Sequence, residues 1–294
     1  MAVVTPDIAL PAPAARRRQR VWRYVRRHPT IVVGAPLFLL MIAMAVFAPY
    51  LGTVDPQALS PIRRLKWPSA QYWFGTDMLG RDVYSRTIYG ARVSLVVGIS
   101  VALCSTILGL AIGVIAGFTR WVDSIVMRIM DGLMSIPEVL IAIALMALTR
   151  ASMQNVIFAI TVAQVPRVTR LVRSIVLTLR EQPYVEAALA SGTGFFRILW
   201  RHIVPNTLPP LLVQGTFITA SAMITEAILS FIGAGTPPNI PSWGNIMAEG
   251  RSLFQVAYYI VLFPGIMLSI TVLAINLLGD GLRDALDPRL ARRM

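Results

Sequence analysis

Cysteine is almost missing. Cys104 is the one thiol in 294 residues, which excludes an intramolecular disulfide framework and any Cys-x-x-Cys metal or redox motif; inside an apolar stretch it reads as a small core residue. Histidine is nearly as scarce: His28 and His202 are far apart and neither stands in a His-Glu-x-x-His context, so no metal site is indicated and no Ser/His/Asp set can be assembled. No Gly-x-x-x-x-Gly-Lys-Ser/Thr phosphate loop occurs, so the chain has no motif with which to hydrolyse ATP itself. Charge is also in short supply, at 14% of residues against about a quarter in soluble domains. No Ser/Gly/Pro-rich linker divides the sequence, and a single structural domain is expected.

What fills the chain is apolar. Hydrophobic residues make up 56% and the mean hydropathy is +0.67, the composition of an all-α polytopic membrane protein. A helix needs about 20 residues to cross a hydrocarbon core of roughly 30 Å. Six segments come near this: 31–51, 93–118, 129–148, 153–175, 208–232 and 256–279. The fourth carries Gln154, Asn155, Gln164, Pro166, Arg167, Arg170 and Arg173, and its later part is expected to leave the membrane.

The net charge of +13 is distributed in a way that speaks for membrane topology and against nucleic acid. Seven arginines (Arg16, Arg17, Arg18, Arg20, Arg23, Arg26 and Arg27) precede the first apolar run and are interleaved with no aromatics beyond Trp22 and Tyr24. They suit anionic lipid and a cytoplasmic N-terminus. The run that follows is too long for the h-region of a cleaved signal peptide, roughly 7 to 15 residues, and reads as an uncleaved span. With six crossings both termini are cytoplasmic. That places 19 Lys/Arg inside and eight outside, six of the eight in the long 52–92 loop, the direction the positive-inside rule requires. The organisation read from this is an Arg-rich tail (1–30), a first helix with its outer loop (31–92), a five-helix core (93–282) and a cytoplasmic tail (283–294).

The most informative polar stretch lies between two apolar spans, from Tyr184 to Asn206. Glu186, Ala187 and Ala188 favour a helix, Gly192 and Gly194 bracket a turn, and Phe195 to Ile203 resumes a helical pattern that Pro205 is expected to end. Phe195, Ile198, Leu199 and His202 fall at i, i+3, i+4, i+7, leaving Ala187, Ala188 and Ser191 as a small-residue face for a partner. In the first outer loop, Gly75 and Gly80 flank a turn in which Asp77 can accept from backbone amides, and 82–91 is an amphipathic helix leading into the second span. Gly109, Gly113 and Gly117 recur at four-residue spacing, the pattern of close helix packing. Few ionisable residues interrupt the spans: Glu138, Glu226 and the arginines of the fourth. Glu226 reads as a packing group or a pathway group. The 235–251 loop with Pro237, Pro238 and Trp243 reads as a cap on the pathway, a contact for a binding protein, or a seal on the bundle. Gly279 and Gly281 are expected to end the last helix.

Glu186, Ala187, Ala188, Gly192 and Pro205 reproduce the spacing of the EAA loop in membrane subunits of ATP-binding-cassette importers, and the Arg201 to Asn206 ending resembles the C-type subunit of dipeptide and oligopeptide permeases. The Gly75-Thr-Asp77, Gly80-Arg-Asp-Val83, Ser85-Arg86 and Tyr89-Gly-Ala-Arg92 run is similar to the same subunits, as are Pro237-Pro238 to Trp243-Gly244 and the Asn276 to Arg289 ending. The resemblance covers about residues 30–290. It implies a type I importer permease fold of six transmembrane helices in the bacterial inner membrane. It also implies a second, homologous permease chain as heterodimer partner, two ATPase subunits that bind ATP and Mg, and an outer solute-binding protein. The ATPases would dock on Glu186, Ala187, Ala188, Gly192, Phe195, Ile203 and Pro205. The cargo implied is a di- or oligopeptide, with nickel, glutathione, opines or other small solutes as alternatives within the family. An ion-coupled secondary carrier is a further alternative, although it would more commonly place a chain of carboxylates or histidines near the midplane, which the sequence lacks. An intramembrane enzyme would need a catalytic pair, and none is found.

Overall fold

The computed structural model describes residues 29–286, so the basic tail and the last eight residues of the chain lie outside the described residues. Helices account for the regular structure, and among the described residues the single β-bridge, Thr76 to Asp82, belongs to a loop. The first helix, α1 (Pro29–Val46), opens on a proline, which the first turn tolerates because its N–H would have no intrahelical acceptor. The other end of α1 is capped from a distance. Arg92 donates from Nε to Ala45 O and from Nη2 to Val46 O at 2.9 Å, satisfying carbonyls that a helix C-terminus leaves open.

After an irregular outer loop, Asp82 caps α2 (Val83–Phe118) by accepting from Ser85 N at 2.8 Å. The amphipathic outer segment and the second span are therefore one helix, about 54 Å long at 1.5 Å per residue. α3 (Arg120–Met134) and α4 (Glu138–Ala147) follow. The expected single span at 129–148 is instead broken at Ser135–Pro137, and the two helices are bent by 90°; Pro137 disfavours the helical conformation at Ile136 and cannot donate to an upstream carbonyl. α5 (Met153–Arg180) starts on a Ser152 cap to Asn155 N at 3.1 Å. The short helices α6 (Pro183–Ala190) and α7 (Phe195–Ile198) lead through a wider π turn at Leu199–Ile203 into α8 (Val204–Phe231). Then come α9 (Trp243–Gly250) and α10 (Tyr259–Leu286).

Among the described residues, four stretches are long and apolar enough to cross a membrane: α1, α2, α7 through α8, and α10. The bent α3–α4 pair makes a fifth if it counts as one span. The segment expected as the remaining span is α5, long enough at 28 residues, but its Gln, Asn and Arg side chains make it less apolar than those four. Three further expectations are corrected. Pro205 does not end a helix, because it sits in the first turn of α8, where its missing N–H costs nothing. Gly279 and Gly281 do not end α10 either; they are contact points. A Cβ at Gly281 would lie 2.3 Å from Ile31 Cγ1, and one at Gly279 2.3 Å from Thr216 Oγ1. Cys104 is exposed on the outer side of α2, beside exposed Leu103, Ile107 and Leu108, and is no core residue.

The core is densest where α2 meets α5. The expected packing role of the glycine repeat holds: a Cβ on Gly109 would come within 2.5 Å of Val168, on Gly113 within 2.7 Å of Thr169 O, and on Gly117 within 2.6 Å of Val176. The backbones touch, and Val168, Val172 and Val176 are wholly buried. Gly113→Leu is therefore expected to force the two helices apart and cost about 1–3 kcal/mol or more. A melting temperature lowered by several degrees in detergent would report it, whereas Gly132→Ala, where nothing lies within 4 Å, should leave melting unchanged or raise it slightly.

Candidate functional site

The polar stretch between α5 and α8 is a rigid protrusion with a buried root. α6 ends at Ser191, after which Gly192 takes φ +75° and its N–H reaches Leu189 O at 3.0 Å while Thr193 N reaches Ala188 O at 3.0 Å. That left-handed position suits glycine, since a β-branched side chain there is a conformational outlier. No atom lies within 4 Å of where a Gly192 Cβ would stand, so the constraint is backbone conformation alone. Val185, Ile198 and Ile203 are buried in the α2–α5 core, and Phe195 packs edge-on against Phe118 with ring centroids 5.0 Å apart. Facing out are Tyr184, Glu186, Ala187, Leu189, Gly192, Phe196, Trp200 and Pro205, with Phe195 also largely exposed and Ala188 half-buried. Of the residues the resemblance marks for ATPase docking, Ile203 alone is fully inside, in the role of an anchor. The i, i+3, i+4, i+7 pattern located the buried face by Ile198, with Leu199 and His202 half-buried, yet Phe195, at the start of α7, keeps one edge on Phe118 and is otherwise exposed.

Near this protrusion, arginines of α5 are paired with α3. Arg173 grips Asp123 with two hydrogen bonds, the Nη2 to Oδ2 one at 2.6 Å. Arg170 Nη2 donates to Asp131 Oδ1 at 2.5 Å, and Arg180 Nη1 to Gly117 O at 3.1 Å, capping the last turn of α2. Sequence spacing gave no sign of these pairs, because Asp123 and Arg173 are 50 residues apart.

At the opposite end the outer-loop motif forms a four-charge knot. Asp77 Oδ1 accepts from Leu79 N at 2.8 Å and Arg81 N at 2.9 Å, as the turn required. Its Oδ2 accepts from Arg81 Nε at 2.7 Å and Arg86 Nη1 at 2.6 Å. Both arginines also reach Glu249 of α9, Arg81 through Nη2 at 2.5 Å and Arg86 through Nη1 and Nη2. Arg86 is 1% exposed and fully charge-compensated. Tyr259 of α10 closes the knot by donating to Thr76 O at 3.0 Å.

Glu226 and Trp243 lie next to this knot and are both wholly buried. Glu226 accepts from Ser230 Oγ at 2.8 Å and Ser94 Oγ at 3.3 Å, and Trp243 Nε1 donates to Thr87 O at 2.9 Å. Both side chains are enclosed by these partners.

A different carboxylate occupies the open position. Glu138, the first residue of α4, accepts from Thr225 Oγ1 at 2.7 Å, Ser221 Oγ at 3.2 Å and Gln164 Nε2 at 3.0 Å, so it is tied to both α5 and α8. Its side chain is 21% exposed, with half-exposed Arg167 at 3.9 Å. The sequence placed Glu138 inside a span, but the hydroxyls that surround it come from residues more than 80 positions away and left no local signal.

Matches to known proteins agree with this architecture. Residues 109–292 match the family model described as binding-protein-dependent transport system inner membrane component, and residues 17–68 that of the N-terminal TM domain of oligopeptide transport permease C. A probable peptide ABC transporter permease of Sinorhizobium fredii is 55% identical over 93% of this chain and 94% of its own length. The dipeptide transport system permease of Alkalihalophilus pseudofirmus is 39% identical over 98% and 97%. Among solved structures, a chain of the MetNI methionine ABC transporter in an inward-facing conformation superposes with a TM-score of 0.54, covering 69% of this chain and 96% of that one at 22% identity; the likeness is one of fold.

Cutting the outer knot on one side is expected to be costly. Arg86→Met should leave Asp77 and Glu249 sharing Arg81 as their one cation, an uncompensated negative charge in a buried knot, and destabilise by about 3–5 kcal/mol, seen as loss of folded protein in a detergent melt. Glu249→Gln, at a partly exposed position, should cost less.

Proposed function

We propose, from the premise that this chain belongs to the family of binding-protein-dependent transport system inner membrane components, that it forms half of the pathway of an ATP-driven importer and is moved through residues 184–206. The chain is a multi-pass permease subunit of an ABC importer with the type I fold. The observation that carries the coupling proposal is mechanical. α6 and α7 are rooted by Val185, Ile198 and Ile203, and they continue with no long linker into α5 on one side and α8 on the other. A force on the exposed Glu186, Ala187, Leu189 and Trp200 would therefore reach two long helices together.

The partners in this reading are two ATPase subunits that hold ATP and Mg, a second homologous permease chain and a solute-binding protein on the outer side. The ATPases meet Glu186, Ala187, Ala188, Gly192, Phe195 and Pro205, with Ile203 fixing the element from within. Hydrolysis belongs to the ATPases, since this chain has no phosphate loop. Closure of the ATPase pair pushes the protrusion, and the π turn at Leu199–Ile203 is a natural place for strain to be taken up. Both termini face the cytoplasm in a bacterial inner membrane, as the arginine distribution supports. A di- or oligopeptide is the cargo that relatives such as those of Sinorhizobium fredii and Alkalihalophilus pseudofirmus support.

The test is the ATPase rate of the co-purified complex in lipid, with and without binding protein and peptide. Gly192→Val, which cannot hold φ +75° without strain of about 1–2 kcal/mol, is expected to remove most of the stimulation while the permease pair still assembles. Gly192→Asn, tolerated in the left-handed region, should retain it. Full stimulation in the valine variant would reject 184–206 as the coupling element.

A further inference from the structure

The polar seat around Glu138 has more acceptors than donors. The carboxylate offers about four lone-pair positions, three of them filled by neutral donors from Gln164, Ser221 and Thr225. Gln164 spends its NH2 group on Glu138 and on Ser221 Oγ at 3.2 Å, which fixes the amide's orientation, because the reverse would set its oxygen against the carboxylate. Gln164 Oε1 is then buried with no hydrogen-bond partner, and so is Thr161 Oγ1, one turn away on the same face of α5. Gln164 as a whole is 1% exposed. A buried amide oxygen without a donor is uncommon and costs about 1–3 kcal/mol. Arg167, at 3.9 Å from the Glu138 carboxylate, pairs with it only loosely, outside hydrogen-bond distance, and among the described residues no donor reaches Gln164 Oε1.

The seat's depth and exposure say what it faces. Gln164 lies 11 residues from the start of α5 at Met153, and Ser221 lies 10 residues before the end of α8 at Phe231. The two helices run antiparallel, so both points are about 15 Å from the same end of the bundle, near mid-membrane. A carboxylate 21% exposed at that depth, beside an arginine 54% exposed, cannot face hydrocarbon without heavy cost. Next to it the chain is unwound at Ser135–Pro137 and α4 begins, and irregular backbone at membrane depth is tolerated where it lines a cavity or is covered by protein.

We propose that Glu138, Gln164 and Thr161 form a subsite of the pathway that receives the primary ammonium group of the cargo, a proposal that rests on the reading of this chain as a peptide permease. An ammonium brings three donors and a positive charge, matching the free carboxylate position, the Gln164 oxygen and the Thr161 hydroxyl. Arg167, half-exposed beside the seat, is placed to meet the carboxylate of the same zwitterion.

The complex reconstituted in liposomes with its binding protein and ATPases would be given a free-amine dipeptide and its N-acetyl form. The quantity of interest is the ratio of the two uptake rates, because discrimination by the binding protein is common to all permease variants and cancels. Glu138→Gln is expected to lower the ratio by about tenfold or more, the worth of one charged hydrogen bond, and Gln164→Met to lower it by a few-fold. If Glu138→Gln fails to assemble, Gln164→Met alone decides. An unchanged ratio in an assembled variant, with wild-type uptake intact, overturns the subsite and leaves the peptide reading standing. Wild-type uptake that collapses when choline replaces sodium, while Glu138→Gln keeps the ratio, would make the seat an ion site and overturn the proposal. A wild-type complex that hydrolyses ATP yet moves neither dipeptide would overturn the peptide reading, and the subsite with it.

Discussion

The contact on which the molecule depends is the backbone approach of α2 to α5. Three glycines spaced by four residues remove the side chains that would hold the helices apart, and Val168, Val172 and Val176 fill the space left. Lipid gives no hydrophobic drive for helices to associate, so close packing must supply the energy. Its consequence is that α5, too rich in Gln, Asn and Arg to qualify as an apolar span, is held against the most apolar part of the bundle. Its arginines and the Gln164 NH2 group are then partnered one at a time, while among the described residues Thr161 Oγ1, Thr169 Oγ1 and Gln164 Oε1 are left without a partner. Arg170 and Arg173 are taken up by the amphipathic α3, Arg180 by the end of α2, and Gln164 by Glu138.

This places a polar helix between the proposed coupling element and the proposed subsite. At one end α5 passes into the protrusion at 184–206, and along its length it faces Glu138 and the hydroxyls of α8. The helices α5 and α8 run from the protrusion to the seat and share the carboxylate of α4. At the outer end the bundle is tied differently. Asp77, Arg81, Arg86 and Glu249 balance two negative against two positive charges, joining the outer loop and α2 to α9, with Tyr259 bringing in α10. Compensated charge of this sort adds specificity of arrangement more than stability, since the desolvation cost offsets much of the attraction.

The breaks in the helices are where local sequence rules and the structure part company. Pro137 does bend the chain, by 90°, although the apolar run across it reads as one span. Pro205, Gly279 and Gly281 look like terminators and are not. The proline falls in a first turn where no donor is needed, and the two glycines lie where neighbouring helices come too close for a side chain. Periodicity within 195–203 finds the buried Ile198 but not the exposure of Phe195, which sits in the first turn after Gly194, where Phe118 meets one edge of its ring. Cys104 in an apolar stretch was assigned to the core, yet hydrophobic residues in a membrane helix point outward as readily as inward.

Local chemistry, written in consecutive residues, determined a good deal by itself: membrane insertion, the helical class, the turn at Gly192, the Asp77 turn, the glycine contact of α2, and the family through its motifs. Tertiary structure decided which charges compensate each other, which carboxylate is closed and which is open, and which face of 184–206 is root and which is surface. Glu226 and Glu138 are both single acidic residues in apolar helices, alike to any pattern reading. One is enclosed by Ser94 and Ser230, while the other stands half-open between Gln164, Ser221 and Thr225. The difference comes from partners up to 132 residues distant along the chain, and the pairing of such distant groups is set by how the helices pack, which no local propensity encodes.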